Sequence, residues 1–378
     1  KRHQPWRCVM ADELTVTMLP AKEGDCIHVA WGAAPEQKHL LIDAGRQWTW
    51  KHALKPYLQE KGITRLELLV VSHVDRDHID GVLALIRDPE LDLEVKEIWF
   101  NTWDHLLGES VSSLEEDDAI EHFGAKMGEK LGPQILRRRW PWNRRFAGRA
   151  VELSDTLTDS RFVLDELCLT LLSPDRARLE ALQPVWKKEC RKAGLTPGAK
   201  LEDYVPEEDD GLESFGQPGV DELASEPFQE DGSAPNGTSI AFVLEYGDAR
   251  VLLAADAHAD LLVQGLKALG ATPEQPLRLD AFKIPHHGSK YNVSKELLAL
   301  TDCRHYLVST NGNYFHHPDQ VAIARLVKYG SEAAELDFNY RSDSNALWEN
   351  RRWQHQYSYS IRYPGSGEDG WLSLSFRR

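Results

Sequence analysis

The feature that most constrains the fold of this chain is a set of short apolar runs that end directly in histidine or aspartate. The run 66–71, LELLVV, leads straight into 72–81, SHVDRDHIDG, and the run 252–255, LLAA, ends at Asp256. A buried strand excludes such groups, because an unpaired charge is costly to bury. Ionisable side chains at successive strand ends therefore predict a layered α/β fold with a functional site along one rim of its sheets.

Two later strand ends have the same character. The stretch 282–289, FKIPHHGS, contains a histidine pair, and 309–318, STNGNYFHHP, follows the run 305–308, HYLV. Each cluster alone has an ordinary alternative, since a histidine pair can decorate a surface and aspartate is common in turns. Four such strand ends in one chain are far more specific than any one of them, and they indicate a shared site.

The first cluster has the residue types of a metal site. His73, Asp75 and Asp77 alternate after the predicted strand, and His78 can join them where the chain turns into a helix. Imidazole and carboxylate together bind divalent first-row metals, and four ligands in six residues can hold one ion or begin a pair. The alternative is a helix start in which Asp77 or Asp80 caps the backbone and the histidines are incidental.

Length and composition predict a single α/β domain over 1–378. Apolar residues make up 42% of the chain, enough for a large core, and no apolar run reaches the roughly 18 residues of a membrane span. Residues 1–10, up to Met10, are interpreted as an extension, and the polar N-terminus lacks a signal-peptide pattern. Five scattered cysteines without CxxC spacing favour a reducing compartment, so we expect a cytoplasmic protein.

Local patterns predict individual elements. The stretch 50–63, WKHALKPYLQEKGI, has helical spacing and ends near a glycine suited to terminate a helix. The stretch 239–256 predicts a hairpin that turns at Gly247 and Asp248. Near the C-terminus, 353–363, WQHQYSYSIRY, and 370–376, GWLSLSF, alternate as strands do.

The segment 104–148 is predicted to be a mixed-charge helical insertion. It contains the run RRRWPWNRR, in which arginine and tryptophan suit a phosphate backbone and base stacking. The alternative is an arginine-rich helix face whose tryptophans enter the core. The candidate substrate-binding residues here are Arg137, Arg138, Arg139, Trp140, Arg144 and Arg145.

The segment 195–235 is predicted to be a mobile acidic insertion. Its part 202–231 holds twelve acidic residues and no lysine or arginine, which accounts for most of the formal net charge of −16. So acidic a stretch buries too little apolar surface to offset its ordering entropy. It can dock a basic partner protein or remain an inert solvated loop. A chain of this charge is not a generic nucleic-acid-coating protein.

Taken in order, the motifs resemble one known family. HVDRDH followed by IDG is similar to the HxHxDH signature of the metallo-β-lactamase fold, in the form HxDxDH. The stretches GDCIHV, LLIDAG, NGTSIAFVLEYGDARVLLAADA, FKIPHHGS and NGNYFHHP resemble the hydrolase domain of the DNA-uptake protein ComEC and its soluble relatives. The resemblance covers 14–110 and 234–330 and implies an αββα sandwich with a two-metal centre.

Carried over residue by residue, the resemblance implies a role for each matching position. His73 and Asp75 would serve one metal, and Asp77 with His78 the other. Asp256 would bridge the two ions, and either His286 or His287 would complete the second site, a choice that the sequence leaves open. The implied pocket-lining residues are Lys283, Ser289, Asn311 and His317, with Asp77, Lys283 and His317 as the catalytic candidates.

The sequence departs from the family pattern in two ways. Asp75 stands where a second histidine is usual, and its harder oxygen shifts the preference towards Mn²⁺ or Mg²⁺. The ligand histidine between the first motif and the bridging aspartate has no counterpart, since His105 and His122 lie in the helical insertion and Asn236 matches the family's asparagine. These departures predict that one ion binds weakly or arrives with substrate.

The expected function is hydrolysis with two divalent ions, manganese or zinc, with magnesium as a further candidate. Two such ions would activate a water and neutralise charge on a phosphoryl oxygen, so a phosphodiesterase or nuclease acting on DNA is favoured. A hydrolase of a small ester or anionic metabolite is the enzymatic alternative. The third reading is a weakly catalytic subunit that binds a partner protein through 202–231.

Overall fold

The computed structural model describes residues 12–111, 127–192 and 218–377. Within these ranges the chain alternates short strands and helices. The strands are β1 (Glu13–Met18), β2 (Ile27–Gly32), β3 (Lys38–Ile42), β4 (Arg65–Leu66), β5 (Leu68–Val70), β6 (Glu94–Val95), β7 (Ile98–Trp99), β8 (Arg161–Leu164), β9 (Leu167–Ser173), β10 (Ala241–Tyr246), β11 (Ala249–Leu253), β12 (Leu277–Lys283), β13 (Thr301–Val308), β14 (Glu335–Phe338), β15 (Ser360–Arg362) and β16 (Leu372–Arg377).

The helices lie mainly between parallel strands. The first, α1, runs through the consecutive segments Gln47–Thr49, Trp50–Leu54 and Lys55–Glu60, of which the middle one is π-helical. The others are α2 (Arg76–Arg87), α3 (Trp103–Leu106), α4 (Met127–Arg138), α5 (Arg176–Lys192), α6 (Val220–Ala224), α7 (Ala234–Gly237), α8 (Ala259–Ala268), α9 (Lys295–Ala299), α10 (Gln320–Tyr329), α11 (Asp343–Ala346) and α12 (Arg351–Tyr357).

The strands form two large mixed sheets. The first has the order β16-β1-β2-β3-β5-β7, and the second has the order β15-β14-β13-β12-β11-β10-β9-β8. In the first sheet β3, β5 and β7 are parallel. In the second, β11 to β15 are parallel and β8 to β11 antiparallel. A small pair, β4 and β6, lies apart from both.

The two sheets pack face to face, with helices on both outer faces. Leu40 and Ile42 of β3 join the core between the sheets, whereas Leu41 packs outwards against the helices. This alternation follows the two-residue period of a strand. Strands buried on both faces read as continuous apolar runs, which explains the run LELLVV. The αββα arrangement predicted from the sequence is therefore the observed one.

The carboxyl ends of the parallel strands from both sheets meet at one rim. β1 and β3 both run antiparallel to β2, so they share the direction of β5. The loops after β1 and β13 touch where Ser309 Oγ donates to the carbonyl of Gly24 at 3.0 Å. The loop after β5 meets β10 where Ile240 N donates to the carbonyl of Ser72 at 2.9 Å. Residues that follow these strands are thereby brought together.

Two local predictions are confirmed and one is wrong. The helix α1 ends at Glu60, followed by Gly62 with φ +64°, and β10 pairs with β11 across a turn at Gly247 and Asp248. The stretch 353–363 was expected to be a strand, but its first half belongs to α12. The side chain of Asn350 accepts from the backbone of the first turn and starts this helix.

The described part of 104–148 is built into the edge of the first sheet. Trp142 pairs with Ile98 of β7 as a parallel bridge, and its indole N–H donates to the carbonyl of Phe100 at 2.9 Å. Trp140 is half-buried and packs against the same core. Trp142 therefore enters the core, as the alternative interpretation held, and Trp140 packs against that core while remaining partly exposed. Residues 112–126, with His122, lie outside the described residues.

The acidic segment becomes regular structure earlier than expected. From residue 218 the chain is described, and α6 buries Val220 and Leu223 against the core that contains α10. The boundary of the predicted mobile insertion is corrected accordingly, because these apolar side chains do find a surface to pack on. Residues 193–217 lie outside the described residues, as do 1–11. Among the described helices, none has the length and apolar character to cross a membrane.

Two neighbouring histidines lie under α1, with His28 buried and His39 half-buried. His28 of β2 lies 3.1 Å from His39 of β3, measured between Nε2 and Nδ1, and its Nδ1 lies 2.9 Å from the hydroxyl of Tyr57. Burial lowers the pKa of His28 to about 3, with a further contribution from the neighbouring His39. A protonated imidazole at this position would lose its hydration without gaining a neighbouring carboxylate, so the charged form is disfavoured.

We predict that this burial makes stability depend on pH. The pKa of His28 in the folded chain lies below its value in the unfolded chain. As the pH falls, the unfolded chain therefore binds a proton at His28 before the folded chain does. The contribution of His28 to the free energy of unfolding is fully present above a pH of about 6.5. It is lost as the pH falls towards 3, by up to about 1.4 kcal/mol per pH unit. Urea unfolding of wild type and His28→Leu between pH 7 and pH 4 measures this. A free-energy difference between the two proteins that stays constant with pH would contradict it.

Candidate metal centre

The motif SHVDRDHIDG joins β5 to α2 at the common rim. Asp75 has extended backbone and is the residue before α2, but its side chain makes no capping hydrogen bond. Asp77 and His78 lie in the first turn of the helix and are buried. The alternative in which Asp77 or Asp80 caps the helix is therefore corrected, because the side chain of Asp80 instead accepts from the backbone N–H of Gln47. The carboxylates of the motif point elsewhere.

Three histidine rings converge on the carboxylate of Asp256, which follows β11. The Nε2 atoms of His78, His287 and His73 lie 3.4, 3.5 and 3.9 Å from Asp256 Oδ2. A second carboxylate lies beside them, with Asp77 Oδ2 at 3.6 Å from His287 Nε2. These distances bring the end of β5, the end of β11 and the end of β12 to one point. Two overlapping ligand groups result, His73–His78–Asp256 and Asp77–His78–His287.

The three Nε2 atoms are buried and have no hydrogen-bond partner in the described part of the chain. The opposite nitrogen of each ring is held: His78 Nδ1 by Asp43 at 2.8 Å, His287 Nδ1 by the carbonyl of Ser309 at 2.7 Å, and His73 Nδ1 by Ser72 Oγ at 3.0 Å. A carbonyl accepts, so His287 carries its proton on Nδ1 and leaves a bare lone pair on Nε2. Ring nitrogens fixed in this way are the usual arrangement around a metal ion, and the residues therefore fit one.

The second histidine of the pair lies on the outer side of Asp256. His286 Nε2 is 3.9 Å from Asp256 Oδ2, and its Nδ1 lies 2.9 Å from Asn292 Oδ1 and 3.4 Å from Asp231 Oδ2. The same carboxylate of Asp231 accepts from Asn236 at 2.7 Å. Both His286 and His287 therefore reach Asp256, but only His287 also reaches Asp77. The sequence left open whether His286 or His287 completes the site. In the structure the two histidines lie on different sides of Asp256.

Asp75 lies at the open side of the centre. Its Oδ2 is 3.5 Å from His73 Nε2, and 41% of its side chain is exposed, compared with 12% for Asp77 and 4% for Asp256. The side of the centre at Asp75 is thus more open to water than the side at His287. The expectation that one of two ions is held less tightly stays a prediction.

Lys283 lies behind the centre and is fully buried. Its ammonium group pairs with Asp25 Oδ2 at 2.5 Å, donates to the carbonyl of Ala255 at 3.2 Å and lies 3.9 Å from Asp256 Oδ1. This position differs from the predicted catalytic one, because these partners occupy the amine. The geometry gives Lys283 a positioning role: it joins the loop after β1 to the loop after β11.

The clustered charges shift the ionisation of the buried side chains. Burial by itself lowers the pKa of His78, but the carboxylates of Asp256, Asp77 and Asp43 outweigh it and raise the pKa well above its usual value. Burial raises the pKa of Asp256, and the facing His287, His78 and His286 bring it well below its usual range. The site thus concentrates negative carboxylate charge, which bound cations would stabilise.

Two glycines let separate loops touch the metal-binding helix. A Cβ on Gly24 would lie 1.8 Å from the backbone oxygen of Asp77, and one on Gly81 would lie 1.9 Å from that of Ala44. Any other residue at either position would push α2 away from the loops after β1 and β3. The positions of Asp77 and His78 therefore depend on these close approaches.

The other predicted pocket residues lie at different distances from the centre. His317 is next to it, with its ring 5.2 Å from that of His286. Ser289 is buried and its hydroxyl accepts from the backbone of Tyr291, so it shapes the turn after the histidine pair. Asn311 donates its backbone N–H to the carbonyl of Lys22. Of these, His317 has the most direct access to the cluster.

The structure separates the arginine cluster from the centre. Arg138 donates to the carbonyls of Ile86 and Asp88 at the carboxyl end of α2, whereas Asp77 and His78 lie at its amino end, about 15 Å away along the helix. Arg145 pairs with the buried Glu97. The exposed members are Arg137, Arg139, Arg144 and Arg145.

Sequence reasoning missed two buried aspartates, Asp25 and Asp43, and the partly buried Asp231. Asp25 and Asp43 follow β1 and β3 and contact Lys283 and His78. Asp43 directly follows the run LLI in LLIDAG, so the rule that located Asp256 at a strand end also applied to it, whereas Asp25 in GDCIHV precedes β2 and lies outside that rule. Asp231 lies in the acidic segment, where nothing in the sequence distinguishes it from its neighbours.

No family model and no curated protein matches this sequence. Among solved structures, it is similar to the metallo-β-lactamase fold protein YhfI from Bacillus subtilis, with 12% identity, 97% of this chain and 100% of that chain covered, and a TM-score of 0.42. The diiron β-hydroxylase CmlA from Streptomyces venezuelae has 9% identity, coverage of 98% and 54%, and a TM-score of 0.40. A diphosphatase from the PhnP family has 10% identity, coverage of 96% and 98%, and a TM-score of 0.36. Similarity at this level does not define a family, so the function is argued from the centre's own geometry.

Proposed function

We propose that this protein is a metal-dependent hydrolase of the metallo-β-lactamase fold that cleaves phosphodiesters, with DNA as the substrate class. The observation that carries the proposal is the convergence of three buried Nε2 atoms, those of His73, His78 and His287, on the carboxylate of Asp256; none of the three has a hydrogen-bond partner among the described residues. Nitrogen and carboxylate ligands in this arrangement suit Mn²⁺ or Zn²⁺, and the oxygen of Asp75 extends the range to Mg²⁺.

The ligand set supports two ions that share one carboxylate. Asp77, His78 and His287 would hold the inner ion, and His73 with Asp75 the outer one, with Asp256 between them. Divalent ions supply Lewis acidity, which activates water and neutralises phosphoryl charge. Asp231 and His286 flank the outer side and make up for the ligand histidine that the sequence lacks.

The remaining residues orient the reactants. Hydrolysis of a phosphodiester adds water to phosphorus, breaks one P–O bond and delivers a proton to the leaving oxygen. Asp77 lies in the first turn of α2, where its carboxylate can orient and deprotonate the water. His317, beside His286, is the candidate proton donor to the leaving oxygen. Lys283 and Asp25 fix the carboxylate of Asp256 from behind.

We predict that His287→Ala lowers the metal content. Wild type equilibrated with Mn²⁺ or Zn²⁺ and freed of excess ion should hold about two ions per chain, and the variant about one or fewer, because His287 reaches both carboxylates. Elemental analysis after gel filtration measures this. The matched control is His355→Ala, which removes an exposed histidine of α12 and should leave the metal content unchanged. Failure of wild type to take up any divalent ion would sink the proposal.

We also predict that Asp256→Asn abolishes hydrolysis of bis(4-nitrophenyl) phosphate, with kcat falling by at least about 10²-fold because the shared ligand loses its charge. Rates with Mn²⁺, Mg²⁺ and Zn²⁺ give the metal preference. Asp260→Asn, which removes a carboxylate that pairs with Arg178 instead, should retain activity.

The same assay tests the alternative substrates. A wild type that cleaves 4-nitrophenyl acetate but not the phosphodiester with any of the three ions would favour the small-ester hydrolase. A wild type that binds metal and cleaves neither would favour the weakly catalytic subunit with a protein partner.

A further inference from the structure

The residues that border the centre on the side of the first sheet combine exposed aromatic rings with cations. Lys22 Nζ lies 4.4 Å from the centre of the Trp48 ring, and the guanidinium of Arg46 lies 5.6 Å from the centre of the Tyr314 ring. Tyr314 is 55% exposed and Trp48 is 38% exposed. We call Lys22, Arg46, Trp48 and Tyr314 the aromatic rim.

A continuous series of ring contacts joins the aromatic rim to the centre. The Tyr314 ring lies 4.7 Å from that of Phe315, Phe315 stacks 6.0 Å from His317, and His317 lies 5.2 Å from His286. His286 Nε2 is in turn 3.9 Å from Asp256 Oδ2. A chain lying on the rim would therefore be led to the metal ligands.

The backbone under the rim is held at several points. Lys22 has φ +59°, its N–H donates to the hydroxyl of Tyr340 at 3.1 Å, and its carbonyl accepts from Asn311 at 2.8 Å. Two residues further on, Gly24 packs against the backbone of Asp77. The rim thus has a fixed position relative to the centre, which lowers the ordering cost of binding.

The cations of the rim differ in their pairing. Arg46 forms an ion pair with Glu23, so its main effect is to hold the Tyr314 ring. Lys22 has no ion-pair partner within the described ranges of the chain, and its charge remains available to a phosphate. On a protein with a formal net charge of −16, a polyanion depends on such local cations.

We propose that the aromatic rim binds single-stranded nucleic acid, with unpaired bases stacked on Trp48 and Tyr314 and a phosphate at Lys22, and that it delivers this strand to the centre. The proposal rests on the phosphodiesterase function and specifies its substrate. Exposed ring faces stack on any unpaired base, whereas a duplex keeps its base faces covered. The aromatic and cationic combination expected at 137–145 is therefore assigned to a different surface.

The test is fluorescence anisotropy of labelled oligothymidylate with phosphorothioate linkages, which resist hydrolysis, against the matching duplex. Wild type should bind the single strand more tightly than the duplex. Trp48→Ala/Tyr314→Ala should raise the Kd for the single strand by about tenfold or more, and Trp48→Phe/Tyr314→Phe should restore most of the affinity because stacking tolerates any ring. Circular dichroism and metal content establish that each variant keeps its fold and centre.

Two variants serve as controls for position. Phe228→Ala removes a ring that is 38% exposed, as Trp48 is, and that also lies under a cation, Arg325. Arg137→Glu/Arg144→Glu reverses two exposed charges of the arginine cluster. Both should leave the Kd within about twofold of wild type. Loss of binding in the arginine variant with none in Trp48→Ala/Tyr314→Ala overturns the proposal, as does tighter binding of duplex or no binding by wild type.

Turnover of bis(4-nitrophenyl) phosphate by wild type separates this inference from the proposed function. Turnover without binding of the single strand would disprove the role of the rim and leave the phosphodiesterase in place. Rim-dependent binding without turnover of the small diester, with any of the three ions, would support the rim and disprove the phosphodiesterase.

Discussion

The centre depends on one constraint of the fold, the meeting of parallel strand ends from two sheets at a single rim. Each sheet alone would place a carboxylate or a histidine beyond the ends of its strands, but no side chain from a second sheet would face it. Because the sheets face one another, His73 from the first and Asp256 with His287 from the second approach within 4 Å. The buried pair of Asp25 and Lys283 spans the same gap and sets how far apart the two sheet edges lie.

Many residues of the centre could be predicted because the ends of strands can be recognised in the sequence. An apolar run has a clear limit, and an ionisable residue beyond that limit has few ordinary roles, so His73, Asp77 and Asp256 were identified. The layered α/β architecture and the turn at Gly247 followed from the apolar runs and turn residues, and the αββα arrangement was implied by the resemblance to the metallo-β-lactamase fold. The partner of each ring nitrogen did not, because the contact between His78 and Asp43 joins residues 35 positions apart and only the tertiary fold brings them together.

Other residues could not be read from local pattern. Trp142 occurs in an arginine-rich run, but its burial is fixed by a bridge to β7, which no nearby residue signals. Trp48 and Lys22 lie far apart in sequence and in unremarkable contexts, so their cation–π contact is visible only in three dimensions. Asp231 was grouped with the acidic segment because it carries the same charge as its neighbours. Its distinct position in the folded structure is not visible in the sequence.

The buried pair of Lys283 and Asp25 has a thermodynamic consequence for the whole chain. Asp25, Asp43, Asp77 and Asp256 are all buried within the same rim, where their carboxylates repel one another despite the ammonium of Lys283 and the imidazole rings between them. Cations that bind only the folded centre would relieve this repulsion and raise the free energy of unfolding in proportion to the logarithm of their concentration. A chelator that removed these cations would then lower the stability of the folded chain as well as its activity.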